Sequence, residues 1–461
     1  MSKIIFLTKQ ATIEFLLEKI DQLTKRVDRL EQENTMLKEK LAKYENPKNS
    51  RNSSVPPSKD ENRPLKTKSL REKTDKKVGG QPGHEGNTLK MTTTPDKIID
   101  HIPNYCNCCG NGITDFPCEA IGKRQVVDIS PVKPEYTEHR VYQKTCSCGH
   151  IAKSDFPAGV NTSISYGSNV ESLIGYFHAR QYIPFDRMKE IFHDIFGLPV
   201  SEGGLHHILN RLSAKALPVY ELIREKIANS PVVGTDETSV KVNGKKYWYW
   251  TWQNEKLTFI ACSNNRGFKT IEENFKGKFG QSILVNDCWK SHFQTGALAH
   301  QLCLAHLFRE LNYFTEKYKT LWPVRFKKIL KKAIDEKKQM IYENYHQPYQ
   351  PRNAIEKSLK SLLDEDINEK HKELLSFKKR MVKYKEYLPP FLFYPKVPPD
   401  NNGSERAIRN VKVKQKISGQ FKSEQGAKQF AILRSITDTA IKNGQNVLNS
   451  LFIIANLKLT D

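Results

Sequence analysis

The sequence contains no long hydrophobic run. None of its apolar stretches approaches the roughly 18 residues that a transmembrane helix requires, so we expect no membrane-spanning segment. The first residues, MSKIIFLTKQAT, hold only four consecutive apolar side chains and no small-residue cleavage site, which argues against a secretory signal. We therefore expect a cytoplasmic protein.

Cysteine is also scarce. Nine cysteines in 461 residues are too few for a disulfide scaffold, and closely spaced cysteines in a reducing cytoplasm indicate metal binding. Five of them form two clusters, Cys106-Asn-Cys108-Cys109 and Cys146-Ser-Cys148. The spacing of Cys106 and Cys109 suits a structural zinc knuckle. The second cluster is one residue shorter than usual, so we predict Cys146 and Cys148 as ligands and keep His150 and Cys108 as alternatives.

Acidic residues are in deficit. The chain has 51 Asp and Glu against 74 Lys and Arg, a formal net charge of +23. Such an excess predicts long-range attraction to a polyanion, most simply nucleic acid. A basic surface that serves only solubility would need less charge. We therefore expect DNA as a partner and a location with the DNA of the cell.

Residues 13–45 carry a heptad repeat. Leucine occupies the d positions and mostly Ile or Val the a positions, the pattern of a parallel two-stranded coiled coil, and Asn34 at one a position would fix its register. The alternative is a single amphipathic helix packed on the rest of the protein. The d positions are Leu16, Leu23, Leu30 and Leu37, and the a positions are Ile13, Ile20, Val27, Asn34 and Leu41.

Composition divides the rest of the chain into segments. Residues 46–99 form a basic, flexible linker that includes GGQPGHEGNTL, and residues 100–157 form the cysteine module. Residues 160–230 are helical, with Ser201 as the cap of one helix, and suit either a helix-turn-helix or ordinary helical packing. Strand patterns fill residues 231–299, a charged helical insertion spans 300–395, and residues 396–461 end in a basic helical region.

Three acids stand at the ends of predicted elements. Asp236 follows the apolar pair Val232-Val233, Asp287 ends the apolar run SILVN, and Glu405 lies in the first turn of a basic helix. The acids are 51 and 118 residues apart along the chain. This arrangement suits a ribonuclease-H-like sheet, whereas ordinary surface acids are the alternative.

A buried carboxylate needs a neutralising partner. Magnesium takes oxygen ligands, and two ions about 3.5–4 Å apart can support an in-line displacement at a phosphate. Glu237 follows Asp236 on the same strand and should face the opposite side, but strand alternation alone does not decide which acid faces the site.

Together these residues resemble the insertion-sequence-66 family of bacterial transposases, enzymes of the Asp-Asp-Glu type. The similarity follows nearly the whole chain in order, and GGQPGH and NNGSERAIR are its most specific segments. Other matching segments are the N-terminal zipper, the cysteine clusters, TDET, LVNDCWKSH, CLAHLFREL and VKVKQKISGQFKSEQGA.

The resemblance implies a multidomain α+β transposase whose ribonuclease-H-like catalytic domain contains a helical insertion. It implies binding of terminal inverted repeats, metal-assisted cleavage of DNA, and transesterification that joins 3′-hydroxyl ends to target DNA. The implied partners are DNA, further copies of the chain through the zipper, and helper proteins of the same element.

Site residues follow from the same resemblance. The catalytic acids carry over onto Asp236, Asp287 and Glu405, which would bind two Mg²⁺ or Mn²⁺ ions. Its structural zinc region carries over onto Cys106, Cys109, Cys146 and Cys148. The phosphate-binding candidates come instead from the density and position of the basic residues after Glu405, and they are Arg406, Arg409, Lys412, Lys414 and Lys416.

His306 and Arg309, in CLAHLFREL, are candidate neighbours of the active site, although a lone histidine is more often structural. With Asp236 assigned to the site, the resemblance leaves Glu237 at the surface or beside the site. Two other functions remain open from the residues alone. One is a zinc-containing dimeric DNA-binding regulator without catalysis, and the other is a ribonuclease-H-fold nuclease that cuts without joining.

Overall fold

A computed structural model describes residues 2–45, 48, 49, 52, 60, 89–157, 159, 160, 162–277 and 279–457. The described residues within 1–63, 137–193 and 199–461 form one compact unit, and those within 64–136 and 194–198 form a second. Most of the predicted linker, including GGQPGHEGNTL apart from Leu89, lies outside the described residues. Across the described parts, no α-helix has both the length and the hydrophobicity to span a bilayer.

The chain begins with one long helix, α1 (Ser2–Glu45), which confirms the helix predicted over residues 13–45. The heptad side chains of Leu16, Leu23 and Leu30 are each more than half exposed, at 52%, 57% and 54%. The apolar stripe of α1 therefore remains open to another helix.

A short hairpin and three helices precede the main sheet. The hairpin pairs β1 (Gln143–Thr145) with β2 (Ile151–Lys153), and the helices are α2 (Ser168–Ala179), α3 (Phe185–Phe196) and α4 (Glu202–Ala228). Ser201 caps α4 as predicted, because its hydroxyl accepts a hydrogen bond from the backbone N–H of Gly204 at 3.0 Å. Gly197, with φ of +61°, lets the chain turn between α3 and α4.

Five strands form one mixed sheet: β3 (Val232–Val242), β4 (Lys245–Gln253), β5 (Thr258–Ser263), β6 (Ile283–Asn286) and β7 (Ala299–Leu302). Their order in space is β5-β4-β3-β6-β7. The pairs β3–β4 and β4–β5 are antiparallel, whereas β3–β6 and β6–β7 are parallel. Asn243 and Gly244 both have positive φ and form the predicted turn between β3 and β4. Helix α5 (Phe268–Phe275) connects β5 to β6.

Eight helices follow β7 within the described residues. The first five are α6 (Leu304–Tyr318), α7 (Leu321–Gln339), α8 (Glu343–His346), α9 (Gln350–Asp364) and α10 (Lys372–Lys383), and the last three are α11 (Asn402–Ser418), α12 (Glu424–Lys442) and α13 (Val447–Ala455). Helices α6, α7, α9 and α10 share one apolar core with Ile283 and Val285 of β6. The protein is thus a mixed α/β structure, the coarse class predicted from the sequence.

The sheet has two apolar faces because side chains alternate along its strands. On one face, Trp252 of β4 packs against Phe275 of α5 with ring centroids 4.8 Å apart. On the other, Val240 and Tyr249 pack with Val411 of α11 and Phe430 of α12. Helix α11 is therefore held against the face of β3 that carries Val240.

Candidate active site

Asp236 lies within β3, not at a strand end as predicted from the sequence, and Asp287 directly follows the neighbouring strand β6. β3 and β6 run parallel, with Gly234 paired to Val285. Continuing this register by two residues sets Asp236 beside Asp287, the residue that follows β6. Two acids that are 51 residues apart in the sequence thus meet where β6 ends. The edge of the sheet in question is formed by strand ends and not by an outer strand.

Asp236 and Glu237 face opposite sides of β3. Asp236 has the same strand parity as Val240, which packs in the core that includes α11. Glu237 pairs with Trp250 across the sheet and lies on the other face. Asp236 is therefore the acid directed towards the helix that carries Glu405.

Glu237 is fully engaged by two basic residues. Its side chain is 1% exposed, Oε1 accepts a hydrogen bond from Arg266 Nη2 at 2.8 Å, and Oε2 lies 3.1 Å from His292 Nε2. Burial alone would raise the pKa of Glu237, but the hydrogen bond to His292 and the charges of His292 and Arg266 hold it below its ordinary value. Glu237 is thus an interior residue, which excludes the surface position that the sequence left open.

The loop of Asp287 rests on the same network. His292 Nε2 lies 3.8 Å from Asp287 Oδ1, and the backbone N–H of Trp289 donates to that oxygen at 3.0 Å. The guanidinium of Arg266 lies 3.6 Å from the centroid of the Trp289 ring, a cation–π contact. Glu237 therefore supports the position of the second acid through His292 and Arg266.

Glu405 reaches the same edge through the start of α11. The side-chain amide of Asn401 donates to the carbonyl of Thr235 on β3 at 2.7 Å, and its backbone N–H donates to Cys303 Sγ at 3.2 Å. The hydroxyl of Ser404 donates to Asn401 Oδ1 at 2.7 Å. These bonds fix the first turn of α11 against β3 beside the first acid.

Two glycines permit this close approach. A Cβ on Gly234 would lie 2.7 Å from Asn401 Oδ1 and 2.8 Å from Ser404 Oγ, and a Cβ on Gly403 would lie 2.5 Å from Gln253 Nε2. Such distances are shorter than non-bonded contacts allow. A larger residue at Gly234 would displace the hydrogen-bonded Asn401 and Ser404, whereas one at Gly403 would displace the Gln253 side chain.

Negative charge is crowded around Asp236. Burial, followed by the charges of Asp287, Glu237 and Glu405, raises the pKa of Asp236 well above its ordinary value. Glu405 Oε1 is buried and has no hydrogen-bond partner among the described residues. A crowded group of carboxylates with an unpartnered oxygen suits a divalent cation with oxygen ligands.

His306 and Arg309 of α6 both approach Glu405. Nδ1 of His306 lies 3.8 Å from Glu405 Oε1, and Nη2 of Arg309 lies 3.6 Å from the same oxygen. Burial and the charge of Arg309 lower the pKa of His306. Both candidate neighbours named from the sequence therefore lie beside the third acid.

Two family profiles match the chain. A sequence profile described as "Transposase IS66 family" matches residues 163–429, which is more than half of the chain and includes all three acids. The chain belongs to the IS66 transposase family. A second profile, for a family of unknown function, matches residues 6–90. A search of curated proteins found no match. Family membership gives the chain a transposase role.

In this IS66-family protein, α11 places basic residues on the face of Glu405. Arg409, Lys412 and Lys416 follow Glu405 by 4, 7 and 11 residues, a spacing that keeps them on one side of a helix. Arg409 and Lys416 are exposed, whereas Lys412 is half-buried and also donates to the carbonyl of Ser239.

Two other basic residues of α11 lie off that face. Arg406 is exposed but is the residue next to Glu405, so it points about 100° away around the helix. Lys414 corrects the prediction of a phosphate contact. It is 5% exposed, and its ammonium lies 3.4 Å from the carbonyls of Tyr182 and Ile183. Burial lowers the pKa of Lys414 to about 8.

Each of the two cysteine clusters forms a tight turn. The amide of Cys106 donates to the carbonyl of Asn111 at 2.8 Å, and the amide of Cys146 donates to the carbonyl of His150 at 2.8 Å. Backbone N–H groups directed at the two thiols, from Cys109 and Cys108 and from Cys148, lower the pKa of Cys106 and Cys146. Cys106 and Cys109 belong to one compact unit and Cys146 and Cys148 to the other, so the four-cysteine site stays a prediction.

Several residues that build the site were absent from the sequence-based set. Asn401, Gly234, His292 and Arg266 position acids without being acids themselves. Asn401 and His292 carried a signal, because they belong to the NNGSERAIR and LVNDCWKSH segments that supported the family resemblance. The others act through contacts between distant segments, which no local pattern encodes.

Proposed function

We propose that the protein is an Asp-Asp-Glu DNA transposase. It binds the terminal inverted repeats of its insertion sequence, cleaves the DNA by two-metal-ion hydrolysis, and joins the 3′-hydroxyl ends to target DNA by transesterification. The observation that carries the proposal is the approach of Asp236, Asp287 and Glu405 to one edge of the sheet. Burial and then the charges of the neighbouring acids raise the pKa of Asp236.

The sheet supports a ribonuclease-H-like catalytic core. Numbered from β3, the strand order is 3-2-1-4-5, with three antiparallel strands followed by two parallel ones. In such a sheet the first strand is central, and its neighbour on the parallel side carries the second acid. Helices α6 to α10 would be the insertion between the second acid and the third.

The three acids fit a pair of Mg²⁺ or Mn²⁺ ions. Their oxygen ligands and their closely spaced negative charges match the preference of these hard cations. When bound, two such cations supply the charge stabilisation that an in-line displacement at phosphorus requires. Asp236, Asp287 and Glu405 would hold them, and the Glu237 network would keep Asp287 in place.

Basic side chains would position the DNA. Arg409, Lys412 and Lys416 lie on the Glu405 face of α11, where they can bind the phosphates that flank the cleaved bond. Arg309 and His306, beside Glu405, can contact the cleaved phosphate itself. Such phosphate contacts fix the register of the DNA and make binding depend strongly on salt.

The remaining parts would assemble the complex. The cysteine turns would be structural zinc-binding elements, with Cys106, Cys109, Cys146 and Cys148 as the predicted ligands, and α3 and α4 would contribute to end recognition. The exposed stripe of α1 would pair two copies of the chain, which suits a reaction that involves two DNA ends.

A strand-transfer assay tests the proposal. Labelled element ends are incubated with the full-length protein, target DNA and Mg²⁺ or Mn²⁺. We expect Asp287→Asn to lower joined product by at least about 100-fold, more than the roughly 10- to 100-fold that loss of an outer-shell partner costs. The control is Asp366→Asn, since Asp366 is exposed in the helical insertion.

Each other outcome identifies a different protein. Cleavage without joining by the unmodified chain would indicate a nuclease. Binding of the ends without cleavage would indicate a catalytically inactive DNA-binding regulator.

A further inference from the structure

Cys303, His306 and Glu405 form a cluster of three different donor types. Cys303 immediately precedes α6, His306 lies in the first turn of α6, and Glu405 lies in the first turn of α11. Their candidate ligand atoms all lie within 4.8 Å of one another. Among the described residues, this is the group of Cys, His and acidic side chains whose geometry suits a metal ion.

Two atoms of the cluster have unmet hydrogen-bonding capacity. His306 Nδ1 and Glu405 Oε1 are both buried, neither has a hydrogen-bond partner within the described residues, and they lie 3.8 Å apart. Leaving such atoms unpaired is costly, and a cation between them would satisfy both. His306 Nδ1 and Glu405 Oε1 are therefore suited to bind one cation together.

The backbone holds the three donors in place before any ion binds. The amide of Cys303 donates to the carbonyl of Asn286 at 2.9 Å, and the amide of Leu304 donates to the carbonyl of Pro399 at 2.9 Å. Together with the bond from the Asn401 amide to Cys303 Sγ, these contacts join the end of β6, the start of α6 and the start of α11. A preformed ligand set requires little reorganisation on binding.

The donor chemistry differs from that of the catalytic acids. A thiolate, an imidazole and a carboxylate together are typical of zinc sites with an open fourth position, whereas magnesium prefers an all-oxygen shell. We infer that Cys303, His306 and Glu405 form a binding site for a thiophilic divalent cation of the zinc type, which shares Glu405 with the catalytic acids. The consequence for activity, unlike the binding itself, rests on the proposed function.

Binding requires loss of one proton. Burial raises the pKa of the Cys303 thiol to about 12, so the free protein holds it as S–H. On binding, the S–H bond breaks, a sulfur–metal bond forms, and the proton passes to solvent. Backbone N–H groups of Ala305 and His306, at the N-terminus of α6, and of Asn401 stabilise the resulting negative charge.

An ion can reach the cluster from outside. A cavity of about 170 Å³ is lined by Asp287, Cys288, Trp289, Cys303 and His306. Arg309 opposes cation binding, because its Nη2 lies 3.6 Å from Glu405 Oε1. Its side chain is 33% exposed, so displacement by a cation would move it towards solvent.

Occupancy of this site would inhibit the enzyme. Glu405 would be drawn towards Cys303 and His306 and away from Asp236 and Asp287. The zinc-type ion would thus compete with Mg²⁺ for the carboxylate of Glu405. It would have the advantage of two further ligands, Cys303 and His306, which Mg²⁺ does not use.

Cobalt(II) binding tests the site directly. Full-length protein is titrated with Co²⁺, and the near-ultraviolet thiolate-to-cobalt band and the number of bound ions are measured for Cys303→Ser and for the unmodified chain. The two cysteine turns contribute equally to the cobalt signal of the variant and of the unmodified chain. We expect Cys303→Ser to bind one ion fewer per chain, or to bind it at least 10- to 100-fold more weakly, and to lose part of the band.

Matched variants keep the test decisive. Cys288→Ser removes a thiol that lines the same cavity but lies outside the cluster, so its titration should match the unmodified chain. Arg309→Gln keeps all three ligands, and removal of its charge should tighten binding by about threefold or more. Identical titrations for Cys303→Ser and the unmodified chain, or no tightening in Arg309→Gln, would overturn the inference.

Inhibition is tested separately from binding. In the Mg²⁺-dependent strand-transfer assay, added Zn²⁺ should inhibit the unmodified chain at concentrations at least tenfold lower than those that inhibit Cys303→Ser. Equal inhibition of both would contradict the shared carboxylate. Absence of strand transfer by the unmodified chain would count against the proposed function, whereas the cobalt titration judges the site by itself.

Discussion

Asp236 and Glu237 are adjacent acids in opposite environments. Glu237 has both oxygens paired with His292 and Arg266, whereas burial and neighbouring charges raise the pKa of Asp236. The sequence predicts their opposite orientation, since side chains alternate along a strand. It does not predict which face receives His292 and which receives Glu405. His292 is 55 residues from Glu237 along the chain, and Glu405 is 169 residues from Asp236, so no local pattern encodes either contact.

Lys414 shows the same limit at a single basic residue. Its position in a basic run predicts a phosphate contact, but its ammonium faces the carbonyls of Tyr182 and Ile183 in another helical segment. A charge run identifies a basic helix, whereas only the packing of that helix decides which of its charges meet solvent.

Removal of the Asp236 charge should separate stability from activity. In the ion-free protein this carboxylate is disfavoured by burial and by three neighbouring acids, so Asp236→Asn should raise the midpoint of thermal unfolding by about 2 °C or more. Mg²⁺ should raise that midpoint in the unmodified chain but not in the variant, since it would bind only the intact site. Differential scanning calorimetry measures both effects.

Asp366→Asn serves as the control for this experiment. Asp366 is exposed, so its replacement should leave both the midpoint and the Mg²⁺ response unchanged. A lower midpoint for Asp236→Asn, or an intact Mg²⁺ response, would contradict the description of the acids as a cation site with crowded negative charge.

At the scale of elements, the decisive contact joins the start of α11 to β3. Asn401 and Ser404 form its hydrogen bonds, and Gly234 and Gly403 give it room. The sequence identifies both elements and places Glu405 in the first turn of its helix. It does not identify Gly234 as a contact residue, because an isolated glycine in a strand also suits a bulge or a weak point.

Gly234→Ala should impair the reaction more than the fold. Its Cβ would meet Asn401 and Ser404 and displace the turn that carries Glu405. A displacement of about 1 Å can cost roughly 100-fold in rate, so we expect a loss of that order in strand transfer. Circular dichroism should show that helix content is retained.

A second glycine provides the comparison for that variant. Gly280→Ala introduces the same methyl group where no atom lies within 4 Å and φ is not in the left-handed region, so its rate should equal that of the unmodified chain. A normal rate for Gly234→Ala would show that the close approach of α11 to β3 is not required.

At the scale of the whole molecule, local features were predictable from the sequence, whereas contacts between distant segments were not. The long N-terminal helix, the Ser201 cap and the Asn243-Gly244 turn follow from local patterns and are present as predicted. The strand order and the meeting of Asp236, Asp287 and Glu405 depend on contacts between distant segments. The family resemblance supplied the identity of the acids, and the structure supplied their supporting contacts.

The exposed stripe of α1 predicts a dimer. Leu23→Glu with Leu30→Glu places charges at two d positions and should convert the protein to monomers, since both side chains would be buried in a coiled coil. Gln22→Glu with Gln32→Glu adds the same charge at outward positions of the heptad and should leave the dimer intact. Sedimentation equilibrium distinguishes the two results. An unchanged mass for the leucine variant would exclude pairing through α1.

The shared cation site is the central claim, and diffraction tests it most directly. Crystals of the full-length protein are soaked in Mn²⁺, and anomalous differences are recorded near the manganese absorption edge. The account predicts a manganese peak at the edge of the sheet, with oxygens of Asp236, Asp287 and Glu405 at coordination distances of about 2.0–2.6 Å. A fully occupied crystal with no peak there, or with peaks that contact none of the three carboxylates, would contradict it.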